Sequence, residues 1–153
     1  MKRLVEGDLR CARIVRGFGM EVRLEIDLDE EYDVVMFTGG ADISPDLYGE
    51  ARHPLTHTHP VRDLKEVNLY EKFKGKAKFI GICRGAQFLC AMNGDSVVQD
   101  VSNHGMTEHD MYIDVNHHTT GVIKVTGDHH QKMPPDTGEV LAYAIGVRPN
   151  YFE

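Results

Sequence analysis

The residues with the plainest chemistry lie in KFIGICRGAQFLCAM, positions 78–92. Phe79, Ile80 and Ile82 read as a short buried strand, Cys83 as a sharp turn, and Arg84 as the start of a helix. Glycines stand two residues before and two after the cysteine, at Gly81 and Gly85. G-I-C-R-G is the cysteine form of the nucleophile elbow, a strained strand-to-helix turn that lifts a reactive side chain above the sheet edge. The crowded backbone of such a turn leaves no room for side chains at the flanking positions, hence glycine. The following helix aims its N-terminal N–H groups at the turn, an arrangement that favours a thiolate. Cys83 is therefore the candidate nucleophile, whereas Cys90 in the same stretch reads as a small core residue.

A second candidate lies after the apolar run YDVVMFT (32–38), which ends in Gly39-Gly40-Ala41-Asp42. Two glycines at a strand end let the backbone approach a ligand and offer it N–H groups. The nine histidines fall at 53–59, 104–118 and 129–130. His57 and His59, beside His53, have the His-x-His spacing of an extended ligand pair, and His104, His109, His117 and His118 invite the same reading. No cysteine or carboxylate spacing completes a zinc pattern. The expectation is therefore solvated loop histidines and no metal.

To position these groups the chain needs strands that end near one another. Residues 3–5 suggest a very short first strand. Leu9, Ala12, Ile14, Val15 and Phe18 suggest a helix closed by Gly19. Met20, Val22, Leu24 and Ile26 alternate as one face of a strand, and 27–33 is an acidic turn. Residues 32–38 read as a buried parallel strand and 46–59 as loop. In 61–73, Val61, Leu64, Val67, Tyr70 and Phe73 recur at intervals of three, suggesting a helix that Gly75 ends. Beyond the elbow helix come a turn at Asn93-Gly94-Asp95 and a strand-like stretch, 96–101. Two β-rich runs, 111–115 and 122–125, are joined by 116–121 as a hairpin, and 140–145 reads as a last strand. Helices and buried strands alternate through the first two thirds, which argues for an α/β fold with a parallel sheet.

At 153 residues the chain suits one domain with a sizeable core. Its net charge of −7 favours no nucleic acid and no anionic membrane as partner. The opening MKRLVEGD has no apolar run of the kind a secretory leader needs. Three cysteines without framework spacing point to free thiols in a reducing, cytoplasmic setting.

Five blocks occur in one order: TGGADISPDLYGE (38–50), PVRD (60–63), GICRGAQ (81–87), Gln99-Asp100, and DHHQ (128–131). Together they resemble the class I glutamine amidotransferase-like superfamily, and within it the gamma-glutamyl-gamma-aminobutyrate hydrolase-like cysteine peptidases. The resemblance implies a flavodoxin-like three-layer α/β sandwich with a mostly parallel central sheet. It implies a hydrolase that attacks a small gamma-glutamyl substrate through Cys83, forming a thioester, with no cofactor. It assigns the N–H groups of Gly40 and Arg84 to an oxyanion hole. Gln87, His129, His130 and Gln131 become substrate contacts, and Arg84, Asp42, Gln87 and His130 are available to bind the glutamyl α-amino and α-carboxylate groups.

One departure accompanies the match. The family's general base is a histidine in a C-terminal H-P-E motif, and these residues contain none. The expectation is a single domain, 1–153, shortened at its C-terminal part, or a site in which His129 or His130, oriented by Asp128 or Glu139, substitutes. A shortened fold exposes a sheet edge, so marginal stability or self-association as a homo-oligomer is expected. Two readings stand beside the hydrolase: a non-catalytic domain acting in binding, and a glutaminase subunit supplying ammonia to a synthetase.

Overall fold

Val34, Val35, Met36 and Phe37 are buried at every position, and a strand buried on both faces belongs inside a sheet covered by helices on both sides. The computed structural model describes residues 2–6, 9–17, 19, 21–24, 27–102, 108–115, 118–126, 133, 142–144 and 148–149. It comprises two compact units: Met1–Arg52 with His57–Gly94, and His53–Thr56 with Asp95–Glu153.

The first unit runs β1 (Lys2–Glu6), α1 (Leu9–Gly17), β2 (Glu21–Arg23), β3 (Val34–Phe37), α2 (Pro60–Phe73), β4 (Lys78–Gly81) and α3 (Arg84–Met92). Its sheet has the order β2-β1-β3-β4, with every pair parallel. Phe37 stands opposite Gly81, so β3 and β4 end level with each other. This is the flavodoxin-like α/β order, in which the winding reverses beside β1 and ligands gather at the carboxyl ends of the strands.

Alternation along β3 serves both helical layers. Met36 packs with Cys11, Ala12 and Val15 of α1 and Val22 of β2. Phe37 faces the other way. Its ring lies 4.8 Å from Phe88 of α3 and 5.8 Å from Phe79 of β4, and Tyr70 of α2 stacks on Phe79 at 4.9 Å. Such aromatic pairs add about 0.5–1.5 kcal/mol each beyond the area they bury. Cys90 is a buried cysteine, as its apolar surroundings suggest, and so is Cys11.

Three local expectations change. In α2 the buried residues are Asp63, Glu66, Leu69, Tyr70 and Phe73, while Val61 and Leu64 are exposed. An interval of three falls short of the 3.6-residue turn, so a five-member series drifts off any single face. In α1, Leu9 and Ile14 are exposed, and the buried set is Cys11, Ala12 and Val15. Ile80 of β4 and Ile82 just after it are also exposed, because β4 is the last strand of its sheet among the described residues.

The second unit is antiparallel. β5 (Val101–Ser102) pairs with β9 (Arg148–Pro149), and β6 (Glu108–Val115) lies between β7 (His118–Thr126) and β8 (Ala142–Ala144). The expected hairpin is present, but β7 already begins at His118, opposite Val115, so its connection is shorter than 116–121; an irregularity at Ile113/Asp114 shifts the register. Of the strand-like stretch 96–101, Val98 makes an isolated bridge and Val101 enters β5. Upstream of it, the Gln99 side-chain oxygen accepts from the His53 N–H at 2.9 Å and from Thr56 Oγ1 at 3.0 Å. Among the described residues no helix is long and apolar enough to cross a membrane.

Candidate active site

Cys83 has φ 55° and ψ −115°, and it is the non-glycine residue with positive φ among those described. A side-chain-bearing residue held in such a sparsely populated region costs about 1–3 kcal/mol and persists when its surroundings over-determine it. Here the Ile82 N–H donates to the Phe37 carbonyl at 3.0 Å, and the Gly85 N–H to the Ile82 carbonyl at 3.0 Å. The Cys83 carbonyl accepts from the Ala86 N–H at 2.9 Å and the Gln87 N–H at 3.2 Å. The thiol-bearing residue stays exposed at the head of α3.

Both flanking glycines are sterically required. A Cβ at Gly81 would overlap the Gly85 carbonyl and stand 2.6 Å from Ala86 Cα. One at Gly85 would overlap the Phe37 carbonyl. The crowding inferred from G-x-C-x-G is therefore real. It arises in part from the elbow closing on itself and in part from β3 passing against the start of α3.

The glycine loop after β3 meets this elbow. A Cβ added to Gly39 would lie 3.6 Å from Cys83 Cβ and 4.0 Å from its Sγ. A Cβ at Gly40 would strike the Arg62 guanidinium and lie 3.7 Å from Arg84 Cδ. Cys83, Gly40 and Arg84 are thus brought together. Among the described residues, the N–H groups of Gly40 and Arg84 have no hydrogen-bond acceptor.

Beneath the loop and the elbow lies a network of buried charge. The Arg84 guanidinium, fully buried, pairs with Asp63 and Glu66 of α2. The second Asp63 oxygen accepts from Ser44 Oγ at 2.5 Å and from the Ser44 N–H at 3.2 Å. The second Glu66 oxygen accepts from Arg62 Nε at 2.8 Å. Arg62 in turn donates through Nη1 to the Gly39 carbonyl at 2.8 Å and through Nη2 to the Thr38 carbonyl at 3.2 Å. Two guanidiniums meet two carboxylates, so the buried charge is balanced, the condition under which burial is tolerated. The Arg84 side chain is therefore committed to α2 rather than available to a substrate.

Gln87, one turn into α3, is buried, and its Oε1 has no partner among the described residues. His129, His130 and Gln131, with Asp128 and Glu139, lie outside the described residues. Of the 53–59 histidines, His57 and His59 are exposed as expected, and His53 departs from the solvated set. His53 is buried and its Nδ1 accepts from the Leu55 N–H at 3.2 Å. His59 caps α2, its Nδ1 accepting from the Arg62 N–H at 3.2 Å ahead of Pro60 at the first turn. Among the described residues no three His, Cys, Asp or Glu side chains group as metal ligands.

Sequence reasoning missed Arg62 and Glu66. One signal was present: they stand four apart on a helix, the spacing of a facing ion pair. Nothing in that spacing reveals that Glu66 points inward to a second arginine.

Residues 25–148 match the family Peptidase C26. Protein NtpR of Enterococcus hirae is 39% identical over 77 residues, 49% of this chain and 32% of that protein. A glutamine amidotransferase-like protein, the YvdE homolog of Lactococcus lactis subsp. cremoris, is 39% identical over 72 residues, 46% of this chain and 38% of that protein. The chain thus spans well under half the length of these curated relatives. The crystal structure of a glutamine amidotransferase from Thermotoga maritima matches with TM-score 0.59 over 93% of this chain and 66% of that one, at 18% identity, a likeness of fold.

Proposed function

Because this chain belongs to the Peptidase C26 family, in the class I glutamine amidotransferase-like superfamily, we propose that it is a hydrolase that cleaves a gamma-glutamyl amide through a thioester on Cys83. The observation that carries this reading is the strained, exposed Cys83 with the Gly39 backbone against its side chain. Backbone strain of this kind clusters at reactive sites.

In this reading the Cys83 thiolate adds to the gamma-carbonyl carbon. The S–C bond forms as the carbonyl π pair moves onto oxygen. The N–H groups of Gly40 and Arg84 receive that oxyanion. One such donor is typically worth about 2.7–4 kcal/mol in the transition state. Collapse breaks the C–N bond, and the leaving nitrogen takes a proton from solvent water as it departs as an amine or ammonia. Water then adds to the thioester, the C–S bond breaks, and glutamate and the thiolate are released. Gln87 contacts the glutamyl end. Gln87 Oε1, unpartnered among the described residues, supports that role, because a buried carbonyl oxygen without a donor is a group a ligand can satisfy.

The test is direct. Incubation with gamma-glutamyl p-nitroanilide should release p-nitroaniline and leave a glutamyl adduct on Cys83, located by peptide mass spectrometry. Release that survives Cys83→Ala, or an adduct on another residue, overturns the proposal.

A further inference from the structure

Glu66 is fully buried and shares one carboxylate between two arginines that lead to different walls of the site. Through Arg62 it reaches the Gly39 and Thr38 carbonyls, and through Arg84 it reaches the head of α3. We infer that Arg62 and Glu66 are positioning residues that hold the Gly39–Gly40 loop against the Cys83 elbow, setting the spacing between the two N–H donors. The catalytic consequence rests on the acyl-transfer reading above; the mechanical tie does not.

The geometry favours this role over that of a plain stabilising ion pair. Carbonyls 38 and 39 both accept from one guanidinium, which fixes the orientation of the peptide planes there and hence the direction of the neighbouring N–H groups. That guanidinium is planar and forked, and Glu66 holds it in place through Nε, so its two remaining nitrogens are aimed together. A lysine would keep the charge and lose the fork. Gly40 lies close over the same guanidinium and over Arg84 Cδ, so displacement of either arginine reaches the loop without intermediates.

Arg62→Lys and Glu66→Gln, made in the full chain, test this with two readouts. The first is the backbone 15N order parameter of Gly39 and Gly40, with α1 amides as reference. The wild-type loop is expected near ~0.85, and Arg62→Lys is expected to bring it toward ~0.6 while α1 is unchanged. Glu66→Gln should loosen the Gly39–Gly40 amides and those of residues 83–85 together. Should that variant fail to fold, Arg62→Lys alone decides. A loop as rigid in Arg62→Lys as in the wild type overturns the inference.

The second readout separates acylation from alkylation of Cys83. Iodoacetamide alkylates a thiolate without forming an oxyanion; a gamma-glutamyl anilide forms one. In Arg62→Lys, kcat for the anilide should fall ~10–100-fold with KM little changed, while the iodoacetamide rate stays within about twofold. Equal losses in both reactions indicate general loosening and overturn the positioning role. A wild-type protein that alkylates but never acylates overturns the hydrolase reading, and the order parameters then still decide the tie.

Discussion

The Cα of Gly85, at the head of α3, lies so near the Phe37 carbonyl of β3 that any side-chain carbon there would overlap it. The Phe37 carbonyl also accepts from the Ile82 N–H at 3.0 Å, so one peptide group both holds the chain before Cys83 and limits the helix after it. The turn at Cys83 is compressed between these two contacts.

Gly85→Ala should therefore cost at least the ~1–3 kcal/mol typical of an overpacked core, because the obstructing atoms are backbone and cannot rotate away. Gly17, with nothing within 4 Å of an added Cβ, is the control. Gly17→Ala is expected to be neutral or to stabilise by ~0.4–1 kcal/mol. Urea midpoints measure both, and equal midpoints for the two variants contradict the steric account.

Strain at Cys83 predicts an exchange of stability for reactivity. Cys83→Gly should be more stable than Cys83→Ala by about 1–2 kcal/mol, since glycine relieves the positive φ and alanine keeps it. Both variants lose the thiol, so chemistry does not confuse the comparison. Identical chemical denaturation curves would show that the turn is not strained.

Gly39→Ala is expected to fold normally. Its added methyl would sit at ordinary contact distance from Cys83, 3.6 Å from Cβ and 4.0 Å from Sγ. The same methyl occupies space beside the thiol that an approaching carbonyl needs. Cys83 acylation should drop ~10–100-fold at an unchanged melting temperature, a loss of the size that small displacements near reacting atoms produce. Wild-type acylation by this variant would mean that substrate approaches from another side.

Tyr48 offers a pH test away from Cys83. Burial first, then the nearby Glu50 and Asp42 carboxylates, push its phenol well above the usual tyrosine range. Its Oη has no partner among the described residues. In the unfolded chain a tyrosine ionises near pH ~10, so the stability tied to this neutral phenol is complete below that pH and falls as the pH rises above it. Tyr48→Phe should melt at the same temperature as wild type or slightly higher near pH 7, because an unpaired hydroxyl contributes no net stability. It should also resist alkaline unfolding better above pH ~10. A variant that loses stability equally at both pH values would show that the hydroxyl has a partner.

The parts of the site legible in sequence are those governed by neighbours in the chain. Gly81, Cys83 and Gly85 stand two positions apart, and the collision that excludes other side chains is local enough to leave a spacing. The buried run 34–37 is likewise a local pattern, and with the alternation of helices it led to the parallel α/β sheet. The hairpin of β6 and β7 was visible, although its turn was placed too wide.

Which face of α2 turns inward was decided only by the tertiary structure. The apolar residues suggested Val61 and Leu64, yet Asp63 and Glu66 occupy the interior. A carboxylate goes inside where a buried cation compensates it, and that cation, Arg84, comes from another helix 18 residues beyond Glu66 and 21 beyond Asp63. The approach of Gly39 to Cys83 has the same origin: two strand ends meet because β3 and β4 pair in register. Sequence thus determined that a cysteine stands on a tight strand-to-helix turn. Packing between distant segments decided what surrounds it, because the energy of a buried charge or a close backbone contact depends on partners that chain order alone does not bring together.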